Sequence, residues 1–454
     1  MRENRKKGGI VAAKESFRLN KRKGLLVLIM VLGLSILVAV QFAGTKDKRA
    51  VKPAGTEEEG AAPQGQKETG EDKIQLRVSV SLGTEEWNTL NSLTDEFMRT
   101  HNGIRVQLEN VPAADRYAAW KKAGQFGASP DLMLLDNGWV QEFAALGFLY
   151  PVSEFFTTDK QTQYLPAVLD QVKWNGYLWG VPKEIDPYIL VWNRHTAEAN
   201  GWTKGPSTGE ELIQWNKKLM DPGKGSYGIY FNPQDYMSLM SVFTAFIDVL
   251  PEDSSPLRLA AEPAVRKALQ AFFVPQKEEW DPALFRANYP SPSEAWDPWK
   301  LLAEGKLAGL VTTVSEYRLH SLSGVELSSL PMPGGGKTGT GSWLKGRSYC
   351  LSSRSGNTAT AMEWVKAVTR ADAESREWTD TGMLPVLLSS YATAPLTSEE
   401  KFKSYAWLVQ EGRAQPFSID AASRSAAAVG KLGELSAGKL NLDQFVKELA
   451  KIYQ

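Results

Sequence analysis

The stretch IQLRVSVSLGTEEWNTLNSLTDEFMRTHNGIRVQLENV, Ile74–Val111, decides the fold class. Its opening, Ile74–Leu82, alternates apolar and polar residues with β-branched enrichment, which reads as a strand. Trp87, Leu90, Leu93, Phe97 and Met98 then recur at helical spacing, and Asn102-Gly103 supplies a helix stop. Alternation returns over Ile104–Val111, completing a strand–helix–strand unit. Parallel strands joined by a crossover helix imply an α/β sheet.

The same grammar continues downstream. A helix is expected over Ala114–Phe126, and Ser129-Pro130 leads into DLMLLD (Asp131–Asp136), apolar enough for a strand covered on both faces. Ser207 with Glu210 reads as a capping box opening the helix Glu210–Met220, and SYGIYF (Ser226–Phe231) as a further strand. Thr397 with Glu400 repeats the capping signature before a C-terminal helical stretch. No fixed-period repeat occurs. About 380 residues of α/β pattern exceed one comfortable core, so two lobes are expected.

Upstream the chemistry differs. Residues 1–23 form a basic tail, in which nine Lys and Arg face only Glu3 and Glu15. Gly24–Ala43 carries no charge, and twenty helical residues span about 30 Å, a bilayer's hydrocarbon core. With the basic block before it, this segment reads as a single-pass anchor with the remainder outside the cell. A cleaved signal peptide is the competing reading, but cuts after Ala43 or Ala39 leave Gln41 or Leu37 where a small residue is wanted. Residues 44–73, rich in Gly, Pro, Glu and Lys, read as a disordered tether holding the next domain about 30 Å from the membrane.

Composition excludes much. Lys+Arg and Asp+Glu are both 52, so no bulk field attracts nucleic acid. Cys350 is the single cysteine, and only His101, His195 and His320 occur, so neither disulfide nor metal motif is expected, and no cofactor. GGGKT (Gly334–Thr338) has Pro331 where a phosphate loop needs its first glycine, and KGSYG has Lys224 where a nucleophile elbow has Gly. Tryptophan, by contrast, is abundant at 15.

Six segments in order carry a specific likeness: DEFMRTHNGIRVQLENV, PDLMLLDNGWVQEFAALGFLYPVSEFF (Pro130–Phe156), GYLWGVPKEIDPYILVWNRHTAEANGW (Gly176–Trp202), PSTGEELIQWNKKLMDPGKGSYGI, Glu304–Tyr317, and LPMPGGG followed by SWLKGRSYCLSS. Together they resemble the extracellular solute-binding proteins of ABC importers, the carbohydrate-type group that includes maltose-binding protein. The resemblance runs from about Ile74 to Gln454. It implies a two-lobed α/β fold with a hinge, crossed near Pro182–Tyr188, Leu330–Gly336 and Leu384–Val386. Lobe 1 would comprise 74–185 and 335–383, and lobe 2 186–334 and 384–454. It also implies a ligand trapped by closure of the cleft, no catalysis, a monomer, and permease subunits as partners. The group's members in single-membrane bacteria are usually lipoproteins; this chain lacks the lipid-bearing cysteine.

Ligands of open α/β sheets gather at the carboxyl ends of strands. Those ends offer Glu85 and Glu86 after the first strand, then Asp136, Asn137 and Trp139 after DLMLLD. The lobe-crossing strand offers Glu184, Asp186 and Tyr188, SYGIYF ends at Phe231 and Asn232, and LAGLVTTV leads to Tyr317. Trp343, Lys345 and Arg347 follow the glycine-rich crossing, with Trp343 expected as a main platform. Aromatic faces beside carboxylates and amides suit a sugar's C–H faces and hydroxyl edges. Plainer readings stand beside these. Trp87 fits core, Asp136 and Asn137 could cap a helix, and Glu184 and Asp186 could pair with Lys183 or Arg347; Trp174, Trp179, Trp192 and Trp215 read as packing. Two alternatives accompany sugar capture: a ligand-sensing module, and a glycoside hydrolase built on Glu184 and Asp186. Lys345 and Arg347 leave an acidic sugar open.

Overall fold

A computed structural model describes residues 73–232, 234–247, 255–273, 296–331, 340–414 and 419–453. The basic tail, the Gly24–Ala43 anchor and the tether up to residue 72 lie outside the described residues. Among the described residues, no helix is long and apolar enough to cross a membrane.

Chain alternation does produce the expected opening unit. β1 (Ile74–Val80) and β2 (Ile104–Asn110) pair in parallel from Ile74↔Ile104 to Val80↔Asn110, joined by the helix Thr84–Thr100. That helix buries Leu90, Leu93 and Phe97, the apolar stripe of its sequence. After the helix Arg116–Gln125, β3 (Leu132–Asp136) joins β1 in parallel, with Val78 opposite Leu132. β4 (Lys173–Trp174) and β5 (Tyr177–Leu178) form a small hairpin closed by Asn175-Gly176, both at positive φ, as a two-residue Asn-Gly turn requires.

β6 (Val181–Asn193) is the long strand of the molecule and is buried along nearly its whole length. It continues into a second α/β half built from β7 (Tyr227–Phe231), β8 (Leu307–Thr313) and β9 (Val325–Ser328). β10 (Leu330–Pro331) and β11 (Thr340–Gly341) pair with each other, β12 (Trp343–Leu351) returns to the first half, and β13 (Arg413–Ala414) edges β12. The main sheet runs β2-β1-β3-β12-β6-β8-β7, with β13 on β12 and β9 on β6.

Two strands therefore serve both halves. β12 pairs antiparallel with β3 over Arg347–Leu351 and with β6 over Leu344–Tyr349. β6 pairs with β12 up to Pro187, then with β8 from Tyr188 onward. A third contact joins Ile185 to Leu384 in an isolated bridge. Residues 332–339, which include most of the expected Leu330–Gly336 crossing, lie outside the described residues. Both halves share one continuous hydrophobic core, in which Trp215, Trp343, Trp364 and Trp378 are fully buried.

Two capping expectations shift. The helix Gly209–Leu219 is capped by Thr208, one residue later than expected, while Ser207 holds the Glu211 carboxylate through its hydroxyl at 2.9 Å and its amide at 2.6 Å. Thr397 sits in a 3-10 turn, and the next helix, Phe402–Gln410, begins without a side-chain cap.

Candidate functional site

A cavity of about 1170 Å³ opens where the two halves meet, at the carboxyl end of β3 and the shared stretch of β6 and β12. The first half contributes Asp136, Asn137 and Trp139 from the turn after β3, with Arg116 and Tyr117 from the start of the neighbouring helix. β6 contributes Glu184, Asp186 and Tyr188, and β12 contributes Lys345 and Arg347. From the second half come Asn232, Asp235 and Tyr236, just past β7. The helix Ala421–Ser436 packs against both the Asn137–Ala145 and the Tyr236–Thr244 helices, and it turns Ala422, Ser425, Ala426 and Val429 to the cavity. A side cavity of about 420 Å³, lined by Ser81, Glu86 and Asn110, shares Arg116 and Arg347 with the main one.

Most charges here are matched, with Asp170 and Asp235 the exceptions among the described residues. Arg347 bridges Glu184 and Glu86 and donates to the Ser81 carbonyl at 3.2 Å. Glu184 is held from its other side by Lys183, which also reaches Glu377 at 2.5 Å. The chain Glu86–Arg347–Glu184–Lys183–Glu377 thus alternates in sign from the cavity wall inward. Burial drives the Glu184 carboxyl up, but Arg347 and Lys183 outweigh it and hold the group down at about 2. Asp186 is 1% exposed and accepts from the Ser315 amide at 3.0 Å and hydroxyl at 2.7 Å, with Lys345 at 3.5 Å. Tyr188 donates its hydroxyl to Asp235 at 2.7 Å. Arg116 pairs with Asp136 at 2.6 Å and lies over the Trp139 ring at 5.1 Å. Burial raises Asp136 above its ordinary value, against the pull of Arg116, Arg347 and Lys345.

The aromatic wall is held from behind. Tyr117 and Trp120 meet the Trp139 ring edge-on at 5.1 and 6.4 Å. The Tyr117 hydroxyl donates to Glu142 at 2.6 Å and receives Lys121 at 2.9 Å. Gly346 is dictated by close approach: a Cβ there would stand 2.5 Å from the Glu184 carbonyl and 2.8 Å from the Asn137 amide nitrogen. Among the described residues, no group of three or more His, Cys, Asp or Glu could hold a metal ion.

Residues 92–404, or 313 of 454, match the bacterial extracellular solute-binding protein family. The chain belongs to that family. Relatives of the solute-binding chain include a maltotriose-binding protein of Pyrococcus abyssi, 26% identical over 144 residues, a match spanning 32% of this chain and only 30% of that protein. A galactooligosaccharide-binding protein of Bacillus subtilis is 22% identical over 359 residues, 74% of this chain and 82% of that one. Maltose-bound MalE3 of T. maritima superposes with a TM-score of 0.68 at 19% identity, over 83% of this chain and 98% of the other. The sugar-binding protein MalE of Xanthomonas citri gives 0.67 at 18%, over 83% and 96%. The two-lobed α/β fold of these proteins is the fold of this chain.

Against this solute-binding fold, the residues singled out in the sequence separate cleanly. Asp136, Asn137, Trp139, Glu184, Asp186, Tyr188, Asn232 and Arg347 line the main cavity, and Glu86 the side cavity. Glu85 is exposed on the first turn of its helix and lines neither. Three aromatic residues are corrected. Trp343 is 1% exposed and donates its indole N–H to Thr244 at 3.0 Å, because the Tyr236–Thr244 helix covers that end of β12. Phe231 is fully buried against the edges of Phe272 and Phe273. Tyr317 donates to the Val325 carbonyl at 3.2 Å, away from the cavity. Asn137 does not cap its helix; its amide donates to Gln171 at 2.9 Å and accepts from Ser348 at 2.6 Å. Arg116, Tyr117, Asp235 and Tyr236 were not among the expected residues. Asp235 carried a legible signal, as the N-cap of its helix two residues before Met237.

Proposed function

We propose that this protein captures a carbohydrate in the cleft between its lobes and delivers it, unaltered, to the permease of an ABC importer. The observation that carries this is the wall of the cavity. Trp139, Tyr117, Tyr188 and Tyr236 line it together with Asp136, Asp186, Glu184 and Asp235. Rings accept the apolar face of a pyranose, and carboxylates accept its hydroxyls, at about 1.5–3 kcal/mol for a bond to a charged partner. Its relatives, binding proteins for maltotriose and galactooligosaccharide, and the maltose-bound structural neighbour support the same ligand class and a non-catalytic role.

In this reading Asp136, Asn137, Trp139, Glu184, Asp186, Tyr188, Asn232 and Arg347 face ligand, with Glu86 acting through Arg347. Lobe 1 comprises 74–185 and 335–383, and lobe 2 comprises 186–334 and 384–454. The uncharged Gly24–Ala43 anchors the protein by one span, and residues 44–73 tether the binding domain outside the cell. Isothermal titration of the full chain against maltose, maltotriose and galactooligosaccharides, with product analysis, tests the reading. Saturable heat without a new product is the expected outcome. Hydrolysis of any of these sugars would overturn delivery of an unaltered ligand, and failure of every sugar beside binding of a non-sugar solute would overturn the ligand class.

A further inference from the structure

We infer that the cleft selects neutral or amino sugars and rejects acidic ones; the inference rests on the carbohydrate reading above. Among the described residues, three cations line the main cavity, Arg116, Lys345 and Arg347, against five carboxylates, Asp136, Asp170, Glu184, Asp186 and Asp235.

Each cation is already committed. Arg347 is clamped between Glu184 and Glu86, with its side chain only 12% exposed. Arg116 is held by Asp136 and by the Trp139 face. Lys345 stands by Asp186 and over the Tyr188 ring at 5.7 Å. Drawing Lys345 away would leave Asp186, 1% exposed, with only the two Ser315 bonds to offset its charge. Asp170 and Asp235 have no ion-pair partner among the described residues; Asp235 receives the Tyr188 hydroxyl and the Met237 amide.

A uronate or sugar phosphate entering this space meets no cation without an acidic partner among the described residues. It must shed water beside Asp170 and Asp235, which have no ion-pair partner among the described residues. A hydroxyl edge can donate to Asp235, Asp170 or Asp186, and an ammonium group gains further from the excess of acid. Arg347, which in the bare sequence leaves an acidic sugar open, is thereby spent on the protein itself, and Lys345, with 44% of its side chain exposed, is drawn to Asp186.

The test is titration of the full chain with size-matched sets: glucose, glucosamine and glucuronate; galactose, galactosamine and galacturonate; and the corresponding trimers. The neutral or amino member of a binding set should exceed its acidic counterpart by about tenfold or more. Asp170→Lys, a change at an exposed position, should narrow that ratio by about threefold, and the narrowing should shrink as NaCl rises from about 0.05 to 0.5 M. An acidic member binding as tightly as its neutral partner overturns the selectivity while leaving carbohydrate binding intact. A ratio unmoved by Asp170→Lys overturns its electrostatic origin. Failure of every sugar overturns the carbohydrate reading, and the selectivity falls with it.

Discussion

Trp139 and Trp343 invite the same reading in the sequence, since each follows a small or polar residue at the edge of a strand. In the fold they part. Trp139 opens onto the cavity, backed by Tyr117 and Trp120, whereas Trp343 is sealed under the Tyr236–Thr244 helix with its N–H on Thr244. The cleft wall and the seam behind it differ likewise in their acids. Glu184, at the wall, is surrounded by cations; Glu374, in the seam, accepts only from the Ser390 hydroxyl at 2.7 Å and the Val386 and Leu387 amides at 3.0 and 3.2 Å. Wall and seam use the same residue types, and what covers or partners each group decides its role.

The comparison breaks first at Trp343. Trp343→Ala should cost about 3–5 kcal/mol of stability in urea denaturation, as a buried indole removed from a packed core does. A cost below about 1 kcal/mol would place that ring outside the core.

At the seam's acid, burial pushes the Glu374 carboxyl up to about 7 from 4.5, against its hydrogen bonds. The folded chain therefore holds that proton more tightly than the unfolded chain. Stability from this group is complete below pH 4.5 and is lost as pH rises through 7, a swing on the order of 3 kcal/mol. Glu374→Gln, which mimics the protonated form, should flatten the stability profile across that window in denaturation series from pH 5 to 8. A slope unchanged from the parent would show that Glu374 is solvated. Glu184 runs the other way: its contribution is present above 4.5 and fades as pH falls towards 2.

Trp139→Ala sharpens the contrast from the wall side. It should lower sugar affinity by about 1–3 kcal/mol in calorimetry, as loss of an aromatic anchor does, with a smaller change in stability than Trp343→Ala. Undiminished affinity would move the platform to Tyr117, Tyr188 or Tyr236. The smallest effect belongs to neither region: breaking the exposed Lys267–Glu210 pair, 2.7 Å apart, should leave the urea denaturation midpoint unmoved within experimental error.

How legible the site was follows from locality. Asp136, Asn137 and Trp139 were readable because a strand end and the following turn are contiguous in sequence, and a parallel strand delivers that turn to the cleft. Glu184, Asp186 and Tyr188 were readable because alternate residues of one strand share a face, although Glu184's commitment to Arg347 crosses 163 positions and remained one option among two. Arg116 and Tyr117 escaped notice because they begin a helix rather than follow a strand. The small-residue face of Ala421–Ser436 escaped because Ala and Ser carry no chemical signal of their own.

Alternating polarity over Ile74–Val111, with a helical stripe between, was enough by itself to set the α/β class, since burial of one face leaves a period that the chain must obey. The uncharged Gly24–Ala43 and the single cysteine were likewise properties of the chain alone. Tertiary structure alone decided which tryptophan meets solvent and which cations are already taken. Both depend on groups brought together from distant positions, and no local pattern encodes the partner that a side chain will find.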